Sequence, residues 1–369
     1  MSVLGPVQVG HDEPPPPGHP RVSAAAKLVV ALVVLAGVTV GLITLGGSLL
    51  GDLRSRPAAG ADYDGDGSGS VKIRIERGAS AADIGAVLAD ADVVASPEAF
   101  QTAAQADERS RTIQPGSYQL RQKMSAAAAL SLLLDPAARL VKRVAVPEGT
   151  TLAGTLQLLA SKGGLRLPAL QAAAKDRGAL GLPSYAARAE GYLFPATYEI
   201  EPDTTEAQAL ARMVTRFRQA ATETGLAAGA KKVGLSPAEV VVLASLIEGE
   251  VARPQDRGKV ARVVFNRLEQ GMPLQFDSTI QYALGKPKTV LTEAETRIPG
   301  PYNTYLNPGL PPGPINNPGE AALAAAVAPE PGDWLYFVSF EKEGQTVFTG
   351  SYQEFLRLKQ RRNAQLGIN

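Results

Sequence analysis

Ser236-Pro237-Ala238-Glu239-Val240-Val241-Val242-Leu243-Ala244-Ser245-Leu246-Ile247-Glu248-Gly249-Glu250 reads as a helix whose start is written into it. Ser at the N-cap, Pro at the first helical position and Glu at the third form a capping box, in which side chain and backbone satisfy each other's first-turn groups. The run that follows is apolar, and on a helical wheel Glu248 falls between Ala244 and Val241, where a solvated carboxylate would not normally sit. A carboxylate at the end of so apolar a helix loses hydration, which raises its pKa and lets it stay protonated near neutral pH. It could then give a proton to a glycosidic oxygen. The plainer alternative makes Glu248 and Glu250 solvated residues of a fraying last turn. Gly249 predicts a break in the helix that would open the site to a ligand.

Downstream, Val260 to Leu268 has helical spacing and ends at Gly271, with Asn266 and Arg267 near that end. Gln275-Phe276-Asp277-Ser278-Thr279 then clusters hydrogen-bonding side chains after Pro273, and Tyr302-Asn303-Thr304-Tyr305 leads into a Pro/Gly-rich loop. Aromatic faces beside amides and carboxylates suit a sugar, although such loops also serve as rigid surface connections. Trp334 to Phe340 alternates as a strand, and Gly344 offers a turn before Thr346-Val347-Phe348, which predicts a closing hairpin.

Upstream, two segments look alike. Val71 to Ile75 alternates as a strand and passes through Gly78 into a helix with Ile84, Val87 and Leu88. Val144-Ala145-Val146 passes through Pro147-Glu148-Gly149 into a helix capped by Thr150, with Leu152, Leu156 and Leu159. A small module of this kind could bind glycan or act as a spacer. Before it, residues 58–70 form a Gly/Asp/Ser tether. Leu28 to Leu50 is uncharged, with only Thr39, Thr44 and Ser48 as polar interruptions, and as a helix it would span roughly 34 Å, enough for a bilayer. Residues 1–26, with Pro14 to Pro17, read as a flexible tail. Arg21 and Lys27 before the span are matched by Arg54 and Arg56 after it, so charge alone does not orient it; a short tail is the natural cytoplasmic partner of a long exported portion.

Composition excludes much else. The 37 basic and 36 acidic residues of this 369-residue chain nearly cancel, which gives no reason to expect a nucleic-acid partner. There is no cysteine, and the two histidines, His11 and His19, both lie in the Pro-rich head. Thiolate and imidazole chemistry are therefore out, no metal site or cofactor is expected, and carboxylates must carry any catalysis.

The carboxy-terminal half resembles the endolytic murein transglycosylases, the YceG-like or MltG family. The matching runs are Glu190-Gly191-Tyr192-Leu193-Phe194-Pro195-Ala196-Thr197-Tyr198, then Ala244 to Glu250, Phe265 to Leu268 with Gly271 to Gln275, and Tyr302 to Tyr305 through Gly309 to Ile315 with Asn317-Pro318-Gly319. The resemblance covers roughly residues 71 to 365. It implies an α+β chain in the order 1–26 cytoplasmic tail, 27–51 transmembrane helix, 52–70 linker, 71–184 LysM-like region and 185–369 largely helical catalytic domain closed by the hairpin. It further implies a single-pass protein of the cell membrane whose exported domain cuts peptidoglycan glycan strands, in partnership with peptidoglycan polymerases. By this likeness Glu248 is the catalytic acid and Glu250 an accessory carboxylate. Gln275, Asp277, Tyr302 and Asn303, with Asn266 nearby, are substrate-contacting positions. Family members commonly carry a bulkier residue where Gly249 stands, and Phe276 and Ser278 also depart from the family pattern.

Overall fold

A computed structural model describes residues 60–367 apart from 252, 287, 289, 290 and 341–344. The tail, the expected membrane helix and most of the tether lie outside the described residues. Among the described residues no helix is long and apolar enough to cross a membrane. The fold is mixed α+β, with small two-stranded sheets among many helices.

The chain divides into two compact units. In the described chain the first comprises residues 60–73, 78–114 and 120–134. Strand β1 (Asp66–Ile75) pairs with β2 (Gly116–Met124), and between them run α1 (Ala81–Asp90) and α2 (Pro97–Ala106); α3 (Ala126–Leu134) follows. Helix α1 starts on a reciprocal Ser80/Asp83 capping box, and α2 on the Ser96 hydroxyl with Pro97 behind it. Leu88, Phe100, Leu120 and Met124 fill this unit's core.

In the second unit β3 (Lys142–Ala145) pairs antiparallel with β4 (Thr197–Ile200), placing Val144 opposite Tyr198. Helices α4 (Leu152–Ser161), α5 (Leu167–Ala173), α6 (Arg177–Leu180) and α7 (Glu206–Glu223) pool Leu156, Leu159, Leu170, Leu180, Leu210 and Met213 in one cluster. Residues 135–184, grouped by sequence with the small module, thus belong to the second unit, because the partner of β3 is β4 and not β1. The two similar segments are alike only locally. Both run strand, turn, helix, both turn glycines are left-handed (Gly78 at φ 80°, Gly149 at φ 75°), and Ile73 and Leu88 in the first are buried, as are Val144 and Leu159 in the second. Thr151, one residue after the expected Thr150, caps α4.

After α8 (Leu226–Val233) comes α9 (Pro237–Glu250), the helix read from the opening stretch. Its Ser236/Glu239 capping box is present, and every residue from Val240 to Ile247 is buried. A helix that is apolar all round can only be a core helix. It packs against α8, α10 (Arg257–Glu269), α11 (Asp277–Leu284) and α13 (Glu320–Val327); the one-turn α12 (Glu293–Thr296) follows α11. Strands β5 (Tyr336–Phe340) and β6 (Gln345–Thr349) pair antiparallel as expected, with Val338 opposite Val347. The hairpin is not the last element: α14 (Tyr352–Leu366) follows and stacks Phe355 on Tyr336 at 5.0 Å.

Candidate active site

Helix α9 runs without a break through Glu250, so the interruption expected at Gly249 is not there. Its last turn delivers Glu248 to a cleft of about 1180 Å³, whose wall also carries Glu190, Ser278, Tyr282 and Asn316. The Glu248 side chain is only 6% exposed. Its surroundings are not the apolar ones the sequence suggested. Arg257, at the start of α10 and itself buried, donates from Nη2 to Glu248 Oε1 at 2.7 Å, and the Gly319 N–H at the head of α13 donates to Oε2 at 3.1 Å. A charge-assisted bond and a helix N-terminus therefore both face this carboxylate. Arg257 also reaches the half-exposed Glu148 at 3.3 Å.

The quoted sequence runs interlock around that carboxylate. Ser245, one turn before it, accepts at Oγ from the Ile315 N–H at 3.1 Å and at its carbonyl from Asn316 Nδ2 at 2.9 Å. Asn317 accepts from the Leu193 N–H at 2.9 Å and donates to the Thr150 carbonyl at 2.8 Å. One short loop, Ile315 to Gly319, thus ties the helix end, the Glu190 segment and the Gly149 turn to one another. Buried side-chain bonds of this kind fix position because breaking one leaves a desolvated group unpaired.

Glu190, 4% exposed, accepts from the Leu152 N–H at 2.7 Å and the Tyr282 hydroxyl at 3.2 Å. Burial pushes its carboxyl up to about 7, against the pull of those two donors and of Arg188. Arg188 in turn donates to the Tyr302 hydroxyl at 2.9 Å, and the Tyr282 and Tyr302 rings meet at 4.9 Å. Because the folded state holds the Glu190 proton above the pH at which the unfolded chain releases it, this group's contribution is full below about 4.5 and is lost as the pH rises to about 7. Between pH 5 and pH 8 the loss is on the order of 3 kcal/mol. Glu190→Gln, which can still accept from Leu152, is expected to flatten that slope. Melting of the two proteins across this range checks it, and parallel curves would remove the assignment.

Glu250 has the environment that the sequence argument gave to Glu248. Burial pushes its carboxyl up to about 7, helped by the Asp277 charge and opposed by Ser278 and Arg267. It is not among the residues that line the cleft, and it accepts from the Ser278 N–H at 3.2 Å. Asp277 accepts from the Tyr305 hydroxyl. The exposed Gln275 holds a left-handed backbone at φ 52° and bonds through its N–H to the Thr304 carbonyl. Tyr302 stands beside the cleft on Arg188 and Tyr282. Asn266 and Asn303, expected to meet substrate, have amides bonded within the fold. Asn266 donates to the Gly332 and Trp334 carbonyls, and Asn303 to those of Thr296 and Ile298, so each pins a loop whose backbone would otherwise lack partners.

Gly249 and Ser278 meet each other. A Cβ at position 249 would lie 3.0 Å from the Ser278 Cβ and 3.3 Å from its Oγ, so the absent side chain is what lets α11 approach α9 this closely. Gly249→Ala is expected to destabilise the chain by about 1–2 kcal/mol despite its better helix propensity. Ser278→Gly in the same chain should recover most of that loss in denaturant titration; additive losses would show that the two positions are independent.

Sequence reasoning missed Arg257 and Asn316 altogether. It quoted Glu190 only as part of a recognisable run. The comparisons with known proteins agree with the motifs. The sequence model of the YceG-like family matches residues 73–361. An endolytic murein transglycosylase of Bacillus subtilis (strain 168) is 32% identical over 306 residues, which span 79% of this chain and 84% of that protein. One from Streptococcus pneumoniae serotype 2 is 37% identical over 175 residues, 45% of this chain and 31% of that protein. The crystal structure of a YceG-like protein from Listeria monocytogenes has a TM-score of 0.54 and 27% identity to this chain, covering 78% of it and 98% of the Listeria chain. With a match over most of its length to the family model and to a curated relative, the chain belongs to the YceG-like family, that of the endolytic murein transglycosylases.

Proposed function

We propose that the chain is a membrane-anchored lytic transglycosylase that cleaves the MurNAc–GlcNAc bond inside peptidoglycan strands, with Glu248 as acid and then base. The observation that carries this reading is the place of Glu248: a carboxylate fixed by two donors on the wall of a cleft large enough for several sugar rings. Each of its oxygens has one lone pair taken by Arg257 or Gly319, which leaves a second for the proton in transit. Glu248 gives its proton to the glycosidic oxygen, and the bond from MurNAc C1 to that oxygen breaks through an oxocarbenium-like state. Arg257 stabilises the carboxylate that remains. That carboxylate takes the proton of the MurNAc C6 hydroxyl as the hydroxyl oxygen bonds to C1, closing a 1,6-anhydro ring without water. Holding both reacting groups in one ring supplies much of the acceleration.

A second reading is favoured by one feature: Glu190 gives the same cleft another carboxylate, as a hydrolase needs. Incubating the full chain with un-crosslinked strands separates the two. Anhydro ends are expected; reducing MurNAc ends would make it a muramidase, and no cleavage would leave a glycan-binding scaffold. Residues 27–51 supply the anchor in this reading, and the tether keeps the enzyme on nascent strands beside the polymerases. Unchanged cleavage in cells after release from the membrane would defeat that part.

A further inference from the structure

The turn Pro147-Glu148-Gly149-Thr150 is built onto the loop that holds Glu248. The Gly149 N–H donates to the Asn317 carbonyl at 3.0 Å, the Asn317 N–H donates to the Thr150 carbonyl at 3.0 Å, and the Thr150 hydroxyl closes the turn on the Pro147 carbonyl at 2.7 Å. The backbone at Glu148 is thus fixed, although its side chain is 49% exposed. Its Oε1 occupies the space that a side chain at Gly319 would fill, so the same glycine that bonds Glu248 through its N–H makes room for Glu148. The other oxygen meets Arg257 Nη2 at 3.3 Å, and that nitrogen also donates to Glu248 at 2.7 Å. Among the described residues these are the two carboxylates paired with Arg257; Asp256, next to it in the chain, faces Arg253 at 3.8 Å.

Two carboxylates on one buried cation answer a difficulty in the reaction. Glu248 must be neutral before it protonates the glycosidic oxygen, yet the Arg257 side chain is only 7% exposed, and a buried cation that faces only a neutral acid is left uncompensated. Glu148 supplies the opposite charge. While the proton is on Glu248, Arg257 and Glu148 balance each other. Once the proton has passed to the glycosidic oxygen, Arg257 compensates the new carboxylate, and the half-exposed Glu148 turns to water at little cost. The proton of the C6 hydroxyl then restores the first arrangement. Glu148 does not line the cleft, so its effect reaches the sugar only through Arg257. We propose that Glu148 is a positioning residue that holds the charge of Arg257 whenever Glu248 carries the proton, and so keeps the acid form ready beside a buried cation. This rests on the reading of Glu248 as the acid.

The test measures kcat and KM separately for the full chain on un-crosslinked strands. In Glu148→Ala kcat is expected to fall about tenfold, the effect of one charge lost at this distance from a partly screened site. KM should stay within about twofold, because no contact with substrate is removed. The substitution opens a space beside Arg257 Nη2 that solvent reaches, so added formate should restore most of kcat and the same concentration of chloride should not. Glu148→Gln fills that space without a charge, and should be as slow as the Ala variant and indifferent to formate. A raised KM at unchanged kcat would make Glu148 a substrate contact; a loss that formate does not repair would make it a structural part of the turn; wild-type rates in both variants would leave it idle. Each of these overturns the proposal while leaving the proposed function standing. Failure of wild type to cleave the strands would instead remove the proposed function and this inference with it.

Discussion

Glu248→Gln in the full chain is expected to abolish strand cleavage, by at least about a thousandfold, in a protein that still folds cooperatively. The amide keeps the carbonyl that Arg257 Nη2 now donates to at 2.7 Å, and loses only the bond from Gly319 at 3.1 Å. That bond runs to a charged group, and its loss together with the counter-charge of the buried Arg257 costs about 1.5–3 kcal/mol, less than Arg257→Ala because the amide still accepts from Nη2 and Glu148 stays within reach. What disappears is the proton, and general acid and base work by a positioned carboxyl contributes about 10²–10⁴ in rate, here twice over because one group acts in both steps. The informative control is Glu250→Gln. That neighbour has a carboxyl raised to about 7 by burial, the property usually sought in a catalytic acid, but it accepts from Ser278 and does not line the cleft. Position should prevail over protonation, so Glu250→Gln keeps most of the activity. A dead Glu250→Gln beside an active Glu248→Gln would exchange the two roles.

That contrast marks how far the residues could be read before the fold was known. The start of α9 was legible because a capping box is a local device, satisfied within four residues. The same holds for the end of α10 at Gly271 and for the β5–β6 hairpin. Family likeness drew attention to Glu248, and the helix did carry it to a cleft. Its polar neighbours were not legible, because Arg257 and Gly319, which bond its two oxygens, come from other elements. Arg257 sits in Arg253-Pro254-Gln255-Asp256-Arg257, a charged run that reads as solvated. Nothing local distinguishes it from Arg253, which is well exposed. The amides of Asn266 and Asn303 have partners that the sequence does not show. An amide near an aromatic run suggests sugar, yet backbone carbonyls hold both, those of Gly332 and Trp334 far along the chain for Asn266 and those of Thr296 and Ile298 close by for Asn303.

Arg257→Ala follows from the same pair and should be the most damaging single change to stability. It leaves Glu248, 6% exposed, without the cation that compensates its charge, and breaking a buried pair from one side costs about 3–5 kcal/mol. The half-exposed Glu148 also loses its partner, but water can replace that contact at little cost. Cleavage should fall as well, since the carboxylate left after proton transfer would have only the Gly319 N–H. Adding Glu248→Gln separates the contributions: with no charge left to strand, the double variant should regain more than half of the stability lost by Arg257→Ala while remaining inactive. Arg257→Lys keeps the charge but not the planar guanidinium whose Nη2 reaches both Glu148 and Glu248, and should fall between wild type and Ala. If Arg257→Ala unfolds within about 0.5 kcal/mol of wild type, or if the double variant is as unstable as the single one, the ion pair is not what secures Glu248. The clamp would then have to be sought in the loop from Ile315 to Gly319, whose Asn317 and Gly319 bonds would carry it alone.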